Sequence, residues 1–318
     1  MQSCPSRRVQ DARLEFVRSL FLFLSRRKRL RKWMETWPLA HEFSKRFVAG
    51  ETLEQALAVS RKLNGEGITV TLDHLGESVT TLDEAAQARD VYLRTLNSIH
   101  EAGIQGNVSL KLTQFGLDLS KSECRANVEQ LVRRAAEMQG FVRVDMESSE
   151  YTDRTLDLVT SLHAQYGAVG TVIQAYLHRS RADVEKLCER KIRVRLCKGA
   201  YLEPHTVAFG RKQDVDANYV ELMKLLLDRG MYPAIATHDE KMIAATKTYA
   251  TEKKVPRDAF EFQMLYGIRR DLQKQLVAEG YRMRLYVPFG LAWYPYYMRR
   301  LAERPANVFF ILRNILRH

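Results

Sequence analysis

The chain has 318 residues, of which 46% are hydrophobic, so it can bury a full core and is not intrinsically disordered. Its four cysteines contain no Cys-x-x-Cys pair, which argues against a zinc site or a disulfide framework and favours a reducing, intracellular compartment. A formal charge of +12 admits anionic ligands, nucleic acid or a membrane face as partners.

The amino-terminal region concentrates this positive charge. Six cations fall within residues 26–32, directly after the apolar run 20–24. That order is wrong for a secretory signal, and the run is too short to span a bilayer. Two interpretations stay open: a helix that packs on the rest of the chain with a solvated basic face, or an interfacial helix whose cations contact anionic lipid headgroups. The apolar run 309–312 repeats the theme weakly.

Eight short apolar runs rich in β-branched residues each end in charged or hydrogen-bonding side chains, and helical apolar spacing fills the segments between them. This alternation predicts a (βα)8 TIM-type barrel over residues 65–318, with residues 1–64 as an amino-terminal helical extension and a further helix at the carboxyl end. The predicted strands span 68–72, 108–112, 141–146, 169–176, 192–196, 232–237, 260–265 and 282–287.

Two of the connections have features of their own. Thr81 and Glu84 have capping-box spacing and start the helix that runs to Gly103. The long connection after residues 199–201 is a candidate lid over the barrel mouth.

The carboxyl ends of the strands meet at one mouth in a barrel of this kind. Acids, bases and hydrogen-bonding groups gathered there predict an enzyme site. These groups are Asp73, His74, Lys111, Asp145, Gln174, Arg195, Lys198, Thr237, His238 and Tyr286.

Alternation along the fifth strand turns Arg193 and Arg195 toward the barrel interior. A buried arginine must be paired, so Arg195 is expected to meet an anion, an electron-rich heterocycle or a neighbouring strand-end acid. Residues 198–200 place a cation beside open backbone, which suits a phosphate. Lys111 and Asp145 end consecutive strands and face one another across the mouth, either as site groups or as a structural ion pair.

The last predicted helix presents Tyr296, Arg299, Arg300 and Glu303 on one face, at i, i+3, i+4 and i+7. Neighbouring arginines suit a carboxylate or phosphate ligand, and Glu303 can hold one guanidinium in place. The alternative is an ordinary amphipathic helix with solvated arginines.

Several cofactor and metal signatures are absent from the sequence: the P-loop, a G-x-G-x-x-G after a strand, H-E-x-x-H and His-x-His. No metal site is therefore expected, and any cofactor is held in the barrel mouth. Residues 237–239 either contact such a cofactor or only complete a loop.

At these residues the sequence resembles the proline dehydrogenases, and in particular the short monofunctional bacterial form. The resemblance covers about residues 65–315, and its separate motifs occur in a fixed order. The segments that carry it are 109–112, 143–147, 173–176, 195–201, 236–238, 260–267 and 296–307.

This resemblance implies an FAD-containing barrel that oxidises L-proline to Δ1-pyrroline-5-carboxylate by hydride transfer to flavin N5 and passes electrons to a membrane quinone. It implies catalytic roles for Lys111, Asp145, Arg195, Tyr286, Arg299 and Arg300. The implied substrate-binding residues are Lys111, Tyr201, Leu265, Tyr286, Tyr296, Arg299, Arg300 and Glu303. The implied flavin-binding residues are Asp145, Met146, Gln174, Arg195, Lys198, Gly199, Ala200, Tyr201, Thr237 and His238.

Two positions depart from the family pattern: Leu202, where many relatives have an aromatic residue, and Asp239, where they have asparagine. The expected location is the cytoplasm, at the inner face of the membrane, with no nucleic-acid partner. Two other functions are compatible with the residues alone. One is a cofactor-independent lyase with Lys111 or Lys198 as its Schiff-base amine. The other is a non-enzymatic basic module that binds membrane or nucleic acid.

Overall fold

Eight parallel strands form a closed barrel in this computed structural model, which describes residues 46–76 and 79–293. Each strand pairs with the next in sequence, and the last pairs with the first, so the predicted (βα)8 fold is confirmed. The strands are β1 Ile68–His74, β2 Gly106–Leu110, β3 Val142–Val144, β4 Val169–Gln174, β5 Val194–Cys197, β6 Ala234–Ala236, β7 Glu261–Leu265 and β8 Arg282–Phe289.

All eight predicted strands are present, but several of their ends are different. The predicted strand 108–112 ends at Leu110, because Leu112–Phe115 forms a 3-10 turn with Lys111 as its amino-terminal cap. The predicted strands 141–146 and 232–237 are reduced to three residues each. Their final polar residues therefore lie in the loops of the mouth, not in the ladder.

α-Helices precede β1 and occupy every connection between consecutive strands. They are α1 Leu53–Gly65, α2 Leu82–Glu101, α3 Lys121–Glu137, α4 Thr152–Tyr166, α5 Ser180–Glu189, α6 Lys212–Arg229, α7 Glu240–Glu252 and α8 Arg270–Ala278. The predicted capping box at the start of α2 is confirmed: the Glu84 amide donates to the Thr81 hydroxyl at 3.2 Å, and the Glu84 carboxylate accepts from the Thr81 amide at 3.3 Å. None of the helices in the described part of the chain is long and apolar enough to cross a membrane.

The barrel buries two sets of side chains, one between the sheet and the helices and one inside the sheet. Fully buried apolar side chains such as Val70, Leu72 and Val108 fill the layer between the sheet and the helices. Inside the sheet many of the buried side chains are polar, among them Arg143 and Arg195. This division follows from the period-two alternation of the strands, which sends successive side chains to opposite faces.

The barrel closes where β1 meets β8, and two further features secure this seam. The Arg284 guanidinium donates to the Val70 carbonyl at 2.8 Å, across 214 residues of sequence. The segment before α1 also joins the seam, because the Ala49 amide donates to the Pro288 carbonyl at 2.8 Å. The boundary predicted between residues 1–64 and the barrel stays a prediction, because residues 1–45 lie outside the described part.

Close packing of β4 against β5 predicts a stability effect at Gly170. A Cβ atom on this residue would lie 2.4 Å from the Arg193 carbonyl oxygen and 2.8 Å from the Phe141 ring. We expect Gly170→Ala to lower the free energy of unfolding by about 1–3 kcal/mol, as overpacking does elsewhere. The control is Gly65→Ala, whose Cβ meets nothing within 4 Å. Equal urea denaturation midpoints for the two variants would contradict this expectation.

Candidate active site

Asp145 is the centre of the polar groups at the barrel mouth. Its Oδ1 accepts hydrogen bonds from the Arg195 guanidinium at 2.7 Å and the Ser109 hydroxyl at 2.6 Å, and its Oδ2 accepts from the Tyr286 hydroxyl at 2.8 Å. Burial, reinforced by the negative charge of Asp145, raises the pKa of Tyr286 well above its usual value. The phenol therefore stays protonated and donates. Three different strands thus hold one carboxylate.

Arg195 projects into the barrel from β5 and meets a strand-end acid, which is one of the three partners that the sequence allowed for it; the acid, Asp145, follows β3. Its Nη1 bonds Asp145, its Nε donates to the Gln263 side-chain oxygen at 2.6 Å, and its guanidinium lies 5.2 Å from the centre of the Tyr286 ring. Its Nη2 is buried and has no hydrogen-bond partner within residues 46–76 and 79–293. A buried donor of this kind fits a ligand that brings an acceptor atom. Arg193 lies just before β5, with its guanidinium over the Phe141 ring.

Lys111 pairs with a different acid. Its Nζ lies 3.9 Å from Asp73 Oδ2, and Asp73 Oδ1 accepts from the buried Tyr92 hydroxyl at 3.1 Å. Burial opposes the lysine charge, but Asp73 first and Asp145 second raise the pKa of Lys111 above its usual value. The amine is therefore held as a cation. The sequence also allowed a structural ion pair between Lys111 and Asp145. In the structure, the cation that is hydrogen-bonded to Asp145 is Arg195.

The ends of β3 and β4 form one side of the mouth. The Gln174 side-chain amide donates to the Glu147 carbonyl at 2.8 Å, and Met146 is buried beside it in the sequence. The Glu147 carboxylate accepts from the Thr113 amide at 3.1 Å and hydroxyl at 2.7 Å. Burial raises the pKa of this carboxyl despite those bonds. The hydrogen bond to the Glu147 carbonyl holds the Gln174 side chain in one orientation.

The predicted phosphate-binding segment follows β5. Lys198 forms ion pairs with Asp216 of α6 and with Asp239, the latter at 2.7 Å. The next residue, Gly199, has φ +110°, and a Cβ atom there would lie 2.3 Å from the Tyr176 ring. Only glycine permits both the backbone conformation and the close approach. Ala200 and Tyr201 continue the same loop.

That loop, the candidate lid, is attached to the neighbouring connections. The Glu203 carboxylate accepts from the Ser149 amide at 2.7 Å and from the Ser149 hydroxyl at 2.5 Å. Further along, Leu177 and Ala208 form an isolated antiparallel bridge. These contacts fix the loop that carries Tyr201 against the ends of β3 and β4. Opening and closing of this loop stays a prediction.

The residues after β6 complete the loops of the mouth. The Thr237 hydroxyl accepts from the Asp239 amide at 3.0 Å, and His238 Nε2 accepts from the Leu265 amide at 3.0 Å. Nε2 is thus the acceptor nitrogen of the His238 ring in this contact. These bonds place Thr237, His238 and Leu265 beside one another at the ends of β6 and β7.

Four predicted site residues, Tyr296, Arg299, Arg300 and Glu303, lie outside the described residues. The structure also adds site residues that the sequence reasoning missed. Ser109 and Gln263 each precede a predicted site residue, Lys111 or Leu265, by two positions. Period-two alternation was the signal that could have found them, because it puts both pairs on the inward face. Asp216 had no such signal, since it lies on a crossover helix.

The buried pair of Arg195 and Asp145 predicts a large stability effect. Their side chains are 8% and 13% exposed. Arg195→Met leaves Asp145 without its cation, and we expect the free energy of unfolding to fall by about 3–5 kcal/mol, as for other broken buried pairs. The matched control is Arg211→Met, which removes an arginine that is 80% exposed and paired with Asp214. Urea denaturation that showed equal losses for both variants would refute the buried-pair account.

Comparison with known proteins identifies the family. The family model described as "Proline dehydrogenase" matches residues 56–313. "Proline dehydrogenase 1" of Bacillus subtilis (strain 168) is 42% identical over 301 residues, which are 95% of this chain and 99% of that protein. The "Proline dehydrogenase" of Deinococcus radiodurans is 42% identical over 286 residues, which are 88% of this chain and 91% of that protein.

A solved structure agrees with these relatives. The crystal structure of proline utilization A from Bdellovibrio bacteriovorus, inactivated by N-propargylglycine, is 30% identical with a TM-score of 0.78. The match covers 82% of this chain and 32% of that longer chain. Because the family model and the Bacillus relative span most of the sequence, the resemblance seen in the motifs is confirmed. The chain belongs to the proline dehydrogenase family, in its short monofunctional type, and is an oxidoreductase that acts on proline in proline catabolism.

Proposed function

We propose that this enzyme carries FAD, oxidises L-proline to Δ1-pyrroline-5-carboxylate by hydride transfer to flavin N5, and passes the electrons to a membrane quinone. The family is flavin-dependent in general. The observation that carries the proposal is the buried Nη2 of Arg195, which has no hydrogen-bond partner in the described part of the chain; the same guanidinium pairs with Asp145 and lies 5.2 Å from the centre of the Tyr286 ring.

Arg195 fits the flavin ring system for two reasons. Its free donor suits a ring heteroatom, and its positive charge favours the negative charge that a flavin gains on reduction. The other proposed flavin-binding residues are Asp145, Met146, Gln174, Lys198, Gly199, Ala200, Tyr201, Thr237 and His238. The flavin supplies the hydride acceptor when bound.

Residues 198–200 fit the phosphates of the cofactor in a specific way. Gly199 has no side chain to obstruct a phosphate, and the Tyr176 ring lies against its backbone where a Cβ atom would be. Lys198 is already neutralised by Asp216 and Asp239, and Lys212 also contacts Asp216. Lys198 would therefore contribute hydrogen-bond donors to a phosphate and little net charge.

The substrate side of the site requires cations and an apolar wall. A proline carboxylate needs charged donors, and each charge-assisted hydrogen bond contributes roughly 1.5–3 kcal/mol. We propose Arg299 and Arg300 as that clamp, with Glu303 steadying it and Lys111 adding a positive charge. Tyr201, Leu265, Tyr286 and Tyr296 would form the walls that hold the ring in a near-attack geometry. As catalytic residues we propose Lys111, Asp145, Arg195, Tyr286, Arg299 and Arg300.

The charge states of the lysines favour this function over a Schiff-base lyase. A Schiff-base amine attacks as the neutral form. The carboxylates around Lys111 raise its pKa and so oppose that form. Lys198 forms ion pairs with two aspartates, which occupy its amine.

Quinone reduction and membrane contact are proposed together, because quinones are dissolved in lipid. The support is the cation-rich segment 26–32, which suits anionic headgroups at the inner face of the membrane. We also propose that residues 1–64 are an amino-terminal helical extension and that residues 65–318 are the catalytic barrel.

A visible spectrum recorded anaerobically before and after L-proline tests cofactor, substrate and redox direction together. We expect a flavin band that bleaches with L-proline and returns when a soluble quinone is added. D-proline at the same concentration is the control. A band that stays oxidised would retain the cofactor and reject the substrate. Protein that takes up no added FAD would reject the cofactor, and borohydride trapping of a carbonyl substrate on Lys111 or Lys198 would then favour the lyase.

The clamp predicts a kinetic effect at Arg300. We expect Arg300→Met to raise the apparent KM for proline at least tenfold, because one charged bond to the carboxylate is lost. Flavin content, measured by absorbance, should stay at the wild-type level. Arg134→Met is the control, since this arginine pairs with Glu137 on the exposed face of α3. An unchanged KM would remove Arg300 from the clamp.

A further inference from the structure

A chain of buried polar side chains runs along the inward face of β7 toward the mouth. Glu261 and Gln263 are two residues apart on this strand and are 2% and 4% exposed. The Gln263 side-chain amide donates to Glu261 Oε1, and its oxygen accepts from Arg195 Nε at 2.6 Å. A glutamine therefore connects a carboxylate deep in the barrel to the arginine of the active site.

A second cation binds Glu261, at the end of this row of buried side chains that is farther from the mouth. Arg284 Nε donates to Glu261 Oε1 at 2.8 Å, and the Tyr232 hydroxyl donates to Oε2 at 3.3 Å. Burial opposes the charge of Glu261, but Arg284 first, and then the hydrogen bonds, hold the pKa of this carboxyl below its usual value. Glu261 is therefore ionised and can only accept hydrogen bonds.

This ionised carboxylate fixes the direction of the amide. Because Glu261 only accepts, the NH2 of Gln263 faces it and the oxygen faces Arg195. The guanidinium then has Nε bound to Gln263 and Nη1 bound to Asp145. Nη2 is the nitrogen that remains for a ligand, and no partner for it occurs among the described residues.

We propose that Glu261 and Gln263 are positioning residues that orient the Arg195 guanidinium, present its Nη2 to the flavin and thereby raise the reduction potential of the bound cofactor. This inference rests on the proposed function, since it requires a flavin at Arg195. Neither residue is placed against the substrate. Their effect passes through the direction of one guanidinium, which stabilises the negative charge of the reduced ring only when it is aimed at it.

The test is Gln263→Met in the flavin-bound enzyme. Both side chains are neutral and similar in volume, so a change in flavin properties comes from the reorientation of Arg195 and not from a changed charge. The midpoint potential of the bound flavin is measured by dye-coupled reduction without proline. We expect reduced flavin to be disfavoured at least tenfold, which is about 30 mV more negative for a two-electron couple. The kcat should fall at least tenfold, with KM for proline within twofold.

The control is Gln273→Met on α8, a glutamine that is 3% exposed and donates to the Ile268 carbonyl at 2.6 Å. It loses a comparable buried bond, so its melting temperature should fall while the midpoint potential stays at the wild-type value. If Gln263→Met does not fold, Gln263→Asn serves instead, because its shorter amide cannot reach Arg195 and Glu261 together. We expect the same negative shift.

The two proposals fail differently. Wild-type protein that takes up no flavin overturns the proposed function and this inference with it. Wild-type protein that bleaches with proline, together with a Gln263 variant that melts lower but keeps the wild-type potential, overturns the positioning role alone. That second result would reduce Gln263 to a structural hydrogen bond.

Discussion

The ion pair of Arg195 and Asp145 is the interaction on which the rest of the site depends. Taking both charges out of water costs several kcal/mol per ion, and their attraction offsets this only when every remaining donor and acceptor is satisfied. Ser109 and Tyr286 donate to Asp145, and Gln263 accepts from Arg195, so that Nη2 of the guanidinium is the donor left without a partner among the described residues. These partners come from three strands, and Arg195 lies on a fourth, so the pair exists only in the closed barrel. The chemistry of the site therefore depends on the complete barrel fold.

Barrel interiors are usually filled with branched apolar side chains. This one instead holds a second polar group beneath the site, in which Arg284 and Arg143 lie near Glu261. Burial and the nearby positive charge of Arg195 lower the pKa of Arg143, whose Nη1 is bound by two backbone carbonyls. Apolar residues of similar volume would fill this space at a smaller cost in folding free energy, because no charge would have to leave water. The polar interior is therefore best explained by what it does to the groups above it.

The sequence was sufficient for the architecture, because eight alternations of strand and helix leave few topologies. It was not sufficient for strand ends or partners. Lys111 was expected to face Asp145, yet the carboxylate beside its amine is Asp73. Which acid meets which cation depends on how far each strand is staggered, and periodicity carries no such information. Gln263 was within reach of the alternation argument, whereas the aspartates around Lys198 come together only through tertiary packing.

The seam between β1 and β8 has a consequence for synthesis. The bond from Arg284 to the Val70 carbonyl joins residues 214 positions apart. β1 therefore pairs on one side with β2 and can pair on its other side only after β8, the last strand, has been synthesised. A growing polypeptide on the ribosome therefore carries an unpaired β1 edge, and a Glu261 carboxylate without its Arg284 partner, until β8 has emerged. Long-range closure of this kind slows folding and prolongs the exposure of unpaired strands. The same charges oppose collapse onto the wrong neighbour, because an unpaired ion is not stable in an apolar interior.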